Sequence, residues 1–331
     1  QHLGKGRVPR QSAGLFTPER QPVGIGAVVH FRSRVGLGDE LGGRRICRWH
    51  GSVVCHECER SHSYVACTLV VTTCRALACG DVAAPDPLAP LAALPGVAEA
   101  AEQAREELGR AHRHKFNLRG WPQTSAEAAV RAARASSVLD GGSLSFSADS
   151  GEPDPVLAGA LRVAEALEGG ATSLVAVWQR APLQALARLH ALAAADLAEP
   201  DMLGRPRTDD PDVGRRLELL TELVSGGSRV PAAVLAAVAH GELLALAPFG
   251  VADGVVARAV SRLITMANGL DPHGLGVPEM YWMAEVGQYR AAARGFAAGT
   301  PDGLGAWLIN SCRGLRAGAR EALAIAQSAT T

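Results

Sequence analysis

The sequence lacks a long uninterrupted run of apolar residues. A membrane-spanning helix needs about 18 or more of them, and the longest candidate, residues 230–252, is broken by His240 and Glu242. Net charge is also absent, because 33 basic residues balance 33 acidic ones. We therefore expect a cytoplasmic protein with no membrane partner and no nucleic-acid partner.

Alternation of apolar and polar residues, the pattern of a half-buried strand, is scarce as well. It occurs only in SLSFSA, residues 143–148, and SLVAVW, residues 173–178. Beyond Leu88 the apolar residues recur at helical spacing, with prolines suited to first turns. The pattern predicts one all-α domain, and the expected helices cover 97–112, 124–139 (opened by a capping box at Thr124–Glu127), 156–167, 182–198, 213–224, 231–246, 254–268, 284–297 and 304–326.

The first eighty residues differ from the rest in composition. Six of the seven cysteines lie between Cys47 and Cys79, among scattered Arg, His, Gly and Ser. The Pro-rich stretch DVAAPDPLAP, residues 81–90, is typical of a linker. We therefore divide the chain into an irregular or disordered segment, 1–83, which need not be a genuine domain, and a helical domain, 84–331.

Two motifs in the first segment invite a ligand-binding interpretation. The stretch CRWHGSVVCHEC supplies soft ligands of the kind that zinc binds tetrahedrally, namely Cys47, His50, Cys55 and Cys58. A structural zinc site normally has two ligand pairs separated by a longer folded insert, which is missing here. The stretch GLGDELG, residues 36–42, approaches a dinucleotide fingerprint without the strand and helix that should flank it. A zinc-assisted interaction module and a poorly structured segment both stay open.

The stretch AHGELLALAPFGVADGVVARAVSRL, residues 239–263, has the pattern of an anion site. An apolar helix reaches Pro248 and Phe249, a loop of small residues follows, and a new helix carries Arg258 and Arg262. The N–H groups at a helix N-terminus attract phosphate. Ordinary helix-to-helix packing is the alternative interpretation.

Several segments resemble, in the same order, those of the Fic (Fic/Doc) family, in a divergent branch common in Ala/Arg-rich bacterial proteomes. The resemblance implies a Fic-like helical bundle and a scaffold for AMP transfer to proteins. The segments are ARASSVLDGG (133–142), similar to Ser-Ser-x-Ile-Glu-Gly; LARLHALAA (186–194), similar to the helix after the substrate pocket; GRPR (204–207), similar to Gly-x-x-Arg; 239–258, in the place of the signature; and 287–308, similar to the closing helices.

The family signature, His-Pro-Phe-x-Asp/Glu-Gly-Asn-Gly-Arg-x-x-Arg, is incomplete in this chain. The resemblance places Ala247 at the catalytic His, and alanine cannot act as a general base. Val251 replaces the acid that helps to hold magnesium, and Val255 replaces the first Arg. No catalytic residue is therefore expected. The positions left for nucleotide binding are Phe249, Asp253, Gly254 and Arg258.

Asp253 stands where the family has Asn. If its side chain points into the loop, it sets a carboxylate against a phosphate. At about 4 Å two unit charges repel each other by roughly 4 kcal/mol at an effective dielectric constant near 20. A magnesium ion would offset that repulsion by bridging the two groups.

A second part of the resemblance concerns regulation. Ser136, Asp140 and Gly141 match the family's inhibitory segment, Ser/Thr-x-x-x-Glu-Gly, with Asp in place of Glu. In the family this Glu pairs with the second Arg of the signature, so the resemblance implies that Asp140 faces Arg258. Asp is one methylene shorter, so the contact is either direct or bridged by water. A solvated Asp at a helix end is the alternative.

These observations leave several functional hypotheses. The first is a Fic-fold protein inactive in AMPylation, which acts as a binding or regulatory module for an unknown protein partner. The second is a divergent transferase that holds a phosphorylated ligand through Gly254 and Arg258, with ATP and magnesium as candidate cofactors. The third is an oxidoreductase, a label that relatives of this branch carry. His190 and His240 lie on apolar helix faces, and we expect them to be core histidines.

Overall fold

The computed structural model describes residues 85–144, 154–168 and 174–329, together with the backbone of 46–49 and 52–55. The last two stretches form an antiparallel hairpin of β1 (Ile46–Trp49) and β2 (Ser52–Cys55). Cys47 and Cys55 lie on its strands. The other candidate zinc ligands, His50 and Cys58, lie outside the described residues, as do the hairpin side chains and residues 36–42.

Across the described parts of 85–329 the fold is all-α, as predicted. A 3₁₀ turn at Pro200–Met202 precedes the seventh helix and a π turn at Leu223–Gly227 follows it. The helices are α1 (Ala89–Ala92), α2 (Val97–Arg113), α3 (Asn117–Leu139), α4 (Pro155–Glu168), α5 (Leu174–Arg180), α6 (Pro182–Ala193), α7 (Asp212–Glu222), α8 (Ala232–Leu246), α9 (Asp253–Ala267), α10 (Pro278–Ala284), α11 (Val286–Ala298) and α12 (Pro301–Ser328).

Helix α8 lies at the centre of the bundle, because it is apolar on nearly every side. Residues 233–243 are all buried, and the helix packs against α9, α11 and α12. Gly241 allows α12 to approach α8 closely, because a Cβ at this position would lie 2.6 Å from Nε1 of Trp307. That indole nitrogen instead donates to the carbonyl of Ala237 at 2.7 Å, which ties α12 to α8. No helix in the described part of the chain is long and apolar enough to cross a membrane.

Helix α3 begins earlier than the sequence predicted. It starts at Asn117, so the capping box at Thr124–Glu127 is wrong and Thr124 lies inside the helix. The Thr124 hydroxyl donates to Oδ1 of Asn117 at 2.7 Å, and Nδ2 of Asn117 donates to the carbonyl of Ala111 at 2.8 Å. This buried chain of hydrogen bonds joins the end of α2 to the first turns of α3.

One further prediction about local structure is wrong. The alternating stretch 173–178 lies largely in helix α5, where Leu174 and Trp178, four residues apart, both face the core. Part of the predicted linker belongs to the folded body, because Leu88 is fully buried. Asp86 supports this start of the body by accepting hydrogen bonds from Oγ of Ser228 at 2.8 Å and from the backbone N–H of Leu88 at 2.9 Å.

Candidate functional site

The loop between α8 and α9 has an unusual backbone. Ala247 and Ala252, at its two ends, both adopt left-handed conformations, with φ of 44° and 55°, and Gly250 between them has φ of 83°. A left-handed conformation at a residue with a Cβ is sparsely populated and costs free energy, so the surrounding contacts must hold it in place. Histidine is among the residues that adopt this region more often, whereas alanine adopts it rarely.

Arg207 supplies much of that support. Its Nε donates to the carbonyl of Ala247 at 2.9 Å, and its Nη2 donates to the carbonyl of Leu246 at 3.0 Å. Its backbone N–H donates to the carbonyl of Pro248 at 2.8 Å. A cation at the C-terminus of a helix also complements the helix dipole. Arg207 is the last residue of the GRPR block, whose function the sequence analysis did not identify.

The side chain of Phe249, a residue of the loop, packs against a histidine. Its ring stacks on the ring of His190, with centroids 4.0 Å apart and an angle of 4° between the planes. Nδ1 of His190 accepts a hydrogen bond from the backbone N–H of Gly204 at 2.9 Å. Burial lowers the pKa of His190 to about 4, so the ring is neutral. The prediction that His190 is a hydrogen-bonded core histidine is confirmed.

Asp253 fills the loop with its own carboxylate. Its Oδ1 accepts the backbone N–H of Phe249 at 3.0 Å, and its Oδ2 accepts the backbone N–H of Gly250 at 2.8 Å. Burial and the charge of Asp140 raise the pKa of Asp253 to about 7, although the two backbone hydrogen bonds and Arg207 act against that rise. Two backbone donors of the loop are therefore engaged by the side chain of Asp253, the first residue of α9.

The carboxylate of Asp140 binds a backbone N–H group in the first turn of α9 in a similar way. It follows the last residue of α3, and its Oδ2 accepts the backbone N–H of Val255 at 2.8 Å. A carboxylate at this place is favoured by the dipole of α9. Gly254 makes room for it, because a Cβ at Gly254 would lie only 2.2 Å from Oδ1 of Asp140.

The expected contact between Asp140 and Arg258 is present and direct. Nη2 of Arg258 lies 2.9 Å from Oδ1 of Asp140, and the side chain of Arg258 is 2% exposed. Ser136, one helical turn before Asp140 and therefore on the same face of α3, accepts from Nε of Arg258 at 2.8 Å and, with its carbonyl, from Nη2 at 3.0 Å. Burial alone would lower the pKa of Arg258, but the charge of Asp140, the neighbouring Tyr289 and the hydrogen bonds to both residues together raise it.

Tyr289 extends this network into the core, a link that the sequence analysis missed. Its hydroxyl accepts from Nη1 of Arg258 at 3.4 Å and lies 2.9 Å from Nε2 of His240. Burial raises the pKa of Tyr289 to about 12, and burial together with Arg258 lowers the pKa of His240 well below its usual value. The imidazole of His240 is therefore neutral, and His240 is a buried, hydrogen-bonded core residue as predicted.

The structure thus gathers most of the predicted site residues at one place. Gly141, with φ of 87°, ends α3 directly after Asp140. Val251 stands at the loop surface, 36% exposed, whereas Val255 is buried at 3%. Neither valine offers a ligand to a metal, and among the described residues no group of three or more His, Cys, Asp or Glu side chains is arranged to hold a metal ion.

The fold that carries this loop and ion pair is Fic-like. The structure is similar to the crystal structure of a Fic family protein from Desulfovibrio desulfuricans G20, with a TM-score of 0.54 and 16% sequence identity. The match covers 70% of this chain and 74% of that chain. No protein-family model matches the sequence, and no curated protein matches it. The similarity establishes the fold, and the chemistry must be argued from the residues of the site.

Proposed function

We propose that this chain is a Fic-fold protein that does not transfer nucleotides and that acts as a binding or regulatory module for a protein partner. The observation that carries the proposal is the occupation of the loop by the chain's own carboxylates. Asp253 accepts the N–H groups of Phe249 and Gly250, and Asp140 accepts the N–H group of Val255. The donors of a phosphate site are therefore engaged without a ligand.

The chemistry of the missing side chains supports the same conclusion. Ala247 has no group that can remove a proton from a target hydroxyl. Arg258 is the cation nearest to the loop in the signature, but it is fully engaged with Ser136, Asp140 and Tyr289. A phosphate in the loop would meet the carboxyl groups of Asp140 and Asp253, and Val251 offers no oxygen ligand to a metal ion, which disfavours ATP as a cofactor.

Incubation of the purified protein with radiolabelled ATP, magnesium and a mixture of cellular proteins tests the proposal. We expect no label on the protein itself or on the mixture, whereas an active Fic-family enzyme in parallel gives clear labelling. The Ala247→His variant should also give none, because Val251, Asp253 and Val255 remain. Labelling by the unmodified protein above the level of a boiled sample would overturn the proposal.

A divergent transferase is the second candidate, and the retained pair of Gly254 and Arg258 favours it. A phosphorylated ligand would have to displace the carboxylates of Asp140 and Asp253 from the N–H groups that they now occupy. Titration calorimetry with ATP and magnesium distinguishes the two candidates. Heat of binding that disappears in an Arg258→Lys variant would favour the transferase, because lysine cannot reproduce the planar guanidinium contacts.

An oxidoreductase is not favoured by the residues of the helical body. Cys312 is the cysteine whose side chain is described, and it is buried. Burial raises the pKa of its thiol to about 12, so the reactive thiolate is not populated at neutral pH.

A further inference from the structure

The outward side of the first turns of α3 combines exposed apolar and basic side chains. The backbone N–H of Leu118 donates to the carbonyl of His114 at 3.2 Å, so the helical turn reaches back to Lys115. Asn117 and Thr124, which are both buried, mark the inward side of the helix. The outward side, which we call the basic face of α3, consists of exposed residues only: Lys115, Leu118, Arg119, Pro122 and Ala126.

An apolar stripe runs along this face. Leu118, Pro122 and Ala126 are spaced by four residues, so their side chains follow one another along the helix. Leu118 is 68% exposed, more than any other large apolar side chain in the part of the chain that the structure describes. An apolar side chain left in water adds nothing to the hydrophobic stabilisation of the fold. The stripe is therefore available to a partner outside the fold.

The cations beside the stripe are not neutralised by neighbouring acids. Residues 108–126 contain no Asp and no Glu. Lys115 and Arg119 form no ion pair with any residue that the structure describes. Arg105 on α2, by comparison, pairs with Glu102. The basic face of α3 therefore carries a local surplus of positive charge, although the chain as a whole has none.

The stability of α3 does not explain these two cations. The dipole of a helix favours acids at its N-terminus and bases at its C-terminus, yet the first turn of α3 contains Arg119 and no acid. Lys115 and Arg119 are also four residues apart, a spacing at which like charges repel each other across one helical turn. Because their placement opposes helix formation, it points to an external group of negative charge.

We propose that the basic face of α3 binds the surface of a membrane that contains anionic phospholipid. Lys115 and Arg119 bind the lipid phosphates, and Leu118 and Pro122 lie beside them among the upper acyl chains. Cations next to an apolar stripe suit this boundary, and attachment of this kind needs no spanning helix. The proposal departs from the expectation of no membrane partner, because that expectation rested on the net charge of the whole chain.

A nucleic acid fits the face less well. Proteins hold single strands by stacking the bases on aromatic rings, and the basic face of α3 carries no aromatic residue. Of the neighbouring rings, Trp121 stacks on His273, with centroids 4.0 Å apart and an angle of 9° between the planes. The ring of Phe116 lies against Gly120, where a Cβ would be 2.7 Å from it. Leu118 would gain nothing from a phosphate backbone or from an acidic peptide.

Vesicles of defined composition test the proposal on the full chain. The protein is sedimented with vesicles of phosphatidylcholine alone and with vesicles in which about one third of the lipid is phosphatidylserine. We expect binding to the anionic vesicles only. That binding should weaken as added salt shortens the Debye length from about 10 Å at 0.1 M to about 3 Å at 1 M. Equal binding to both kinds of vesicle, or binding to neither, would overturn the proposal.

Two double variants locate the binding surface. Lys115→Gln with Arg119→Gln should bind the anionic vesicles about thirtyfold more weakly, because each cation near an anionic surface contributes about fivefold. Its control, Arg180→Gln with Arg188→Gln, removes two exposed basic residues of α5 and α6 and should bind as the unmodified protein does. Binding to anionic vesicles that survives the first double variant would place the contact elsewhere and contradict the proposal.

The depth of residue 118 separates a bilayer from other anionic partners. Leu118→Trp, and Leu183→Trp as the control, each replace an exposed leucine by an indole whose emission is quenched by brominated acyl chains. On anionic vesicles we expect quenching of the added emission of Leu118→Trp and none for Leu183→Trp. No quenching at position 118 would overturn the proposal.

Soluble polyanions provide the last comparison. An oligothymidylate or a polyglutamate peptide that binds the unmodified protein more tightly than the anionic vesicles do, and that is lost in the Lys115→Gln with Arg119→Gln variant, would assign the face to a different partner. Nucleotide transfer at the loop has no part in these measurements, so the membrane surface and the proposed function succeed or fail separately.

Discussion

The two halves of the signature segment contrast sharply. The first half, Ala247 to Val251, carries no side chain that can act as a general base or hold a metal ion. The second half keeps Arg258 and a complete set of partners for it, from Ser136 and Asp140 on α3 to Tyr289 on α11. The comparison teaches that the charged contacts that this segment makes with other helices come from its second half, through Arg258.

The contrast also explains why the loop remains well formed. Arg207 ties the end of α8 to the loop, and Asp253 accepts hydrogen bonds from two N–H groups of the loop. These contacts hold the left-handed backbone at Ala247 and Ala252 in place.

The largest effect should come from removing Arg258. The Arg258→Ala variant leaves Asp140 without its cation and opens a buried space, so we expect the free energy of unfolding to fall by roughly 3–5 kcal/mol. Urea denaturation measures the change. Arg215→Ala, in an exposed pair with Asp212, is the matched control and should leave the stability within experimental error. An Arg258→Ala variant as stable as the control would show that the ion pair is incidental.

Gly254→Ala sharpens the comparison by testing how closely Asp140 approaches α9. The added Cβ would lie 2.2 Å from Oδ1 of Asp140, so we expect a loss of about 1–3 kcal/mol by urea denaturation. In an Asp140→Ala background the obstacle is gone, and the same substitution should cost almost nothing.

Gly214→Ala, on helix α7, serves as the control for Gly254→Ala. A Cβ there meets no atom within 4 Å, so alanine should leave stability unchanged or raise it by up to about 1 kcal/mol through helix propensity. A Gly254→Ala cost that is the same with and without Asp140 would mean that the carboxylate does not lie over the helix N-terminus.

A smaller effect should appear in the pH dependence of stability. The pKa of Asp253 is raised to about 7 in the folded protein, above the unfolded value near 3.9. The stability that this group contributes is complete below about pH 4 and is lost as the pH rises through 7. The Asp253→Asn variant cannot show that loss. The melting temperature of the variant, measured relative to that of the unmodified protein, should therefore rise between pH 5 and pH 8.

Asp302→Asn, at an exposed acid in the first turn of α12, provides the comparison for the pH experiment. Its melting temperature should differ from that of the unmodified protein by the same amount at every pH in this range. If the Asp253→Asn curve also runs parallel to that of the unmodified protein, the carboxyl does not sit in the buried environment of the loop.

The smallest effect concerns the chain before the helical body. A chain that begins at Ala84 should melt as cooperatively as the full chain, because Asp86 and Leu88 are retained. One that begins at Leu91 loses the hydrogen bonds of Asp86 and the buried side chain of Leu88, and it should be less stable. Circular dichroism melts measure both, and an unfolded Ala84 chain would show that the N-terminal segment belongs to the same folding unit.

The resemblance to the Fic family predicted the pairing of Asp140 with Arg258, because both residues stand at fixed places in the segments that carry the resemblance. Sequence reasoning missed the contribution of Asp253, since that depends on left-handed backbone at Ala247 and Ala252, which alanine rarely adopts. It placed the start of α3 too late, because the side-chain bond between Asn117 and Thr124 has no local pattern.

A structure of the protein crystallised with ATP and magnesium tests the central claim most directly. The account predicts that Asp253 still accepts the N–H groups of Phe249 and Gly250, that Asp140 still bridges Val255 and Arg258, and that the loop carries no phosphate. A phosphate group on the N–H groups of Phe249 and Gly250, with the carboxylate of Asp253 turned away, would contradict it.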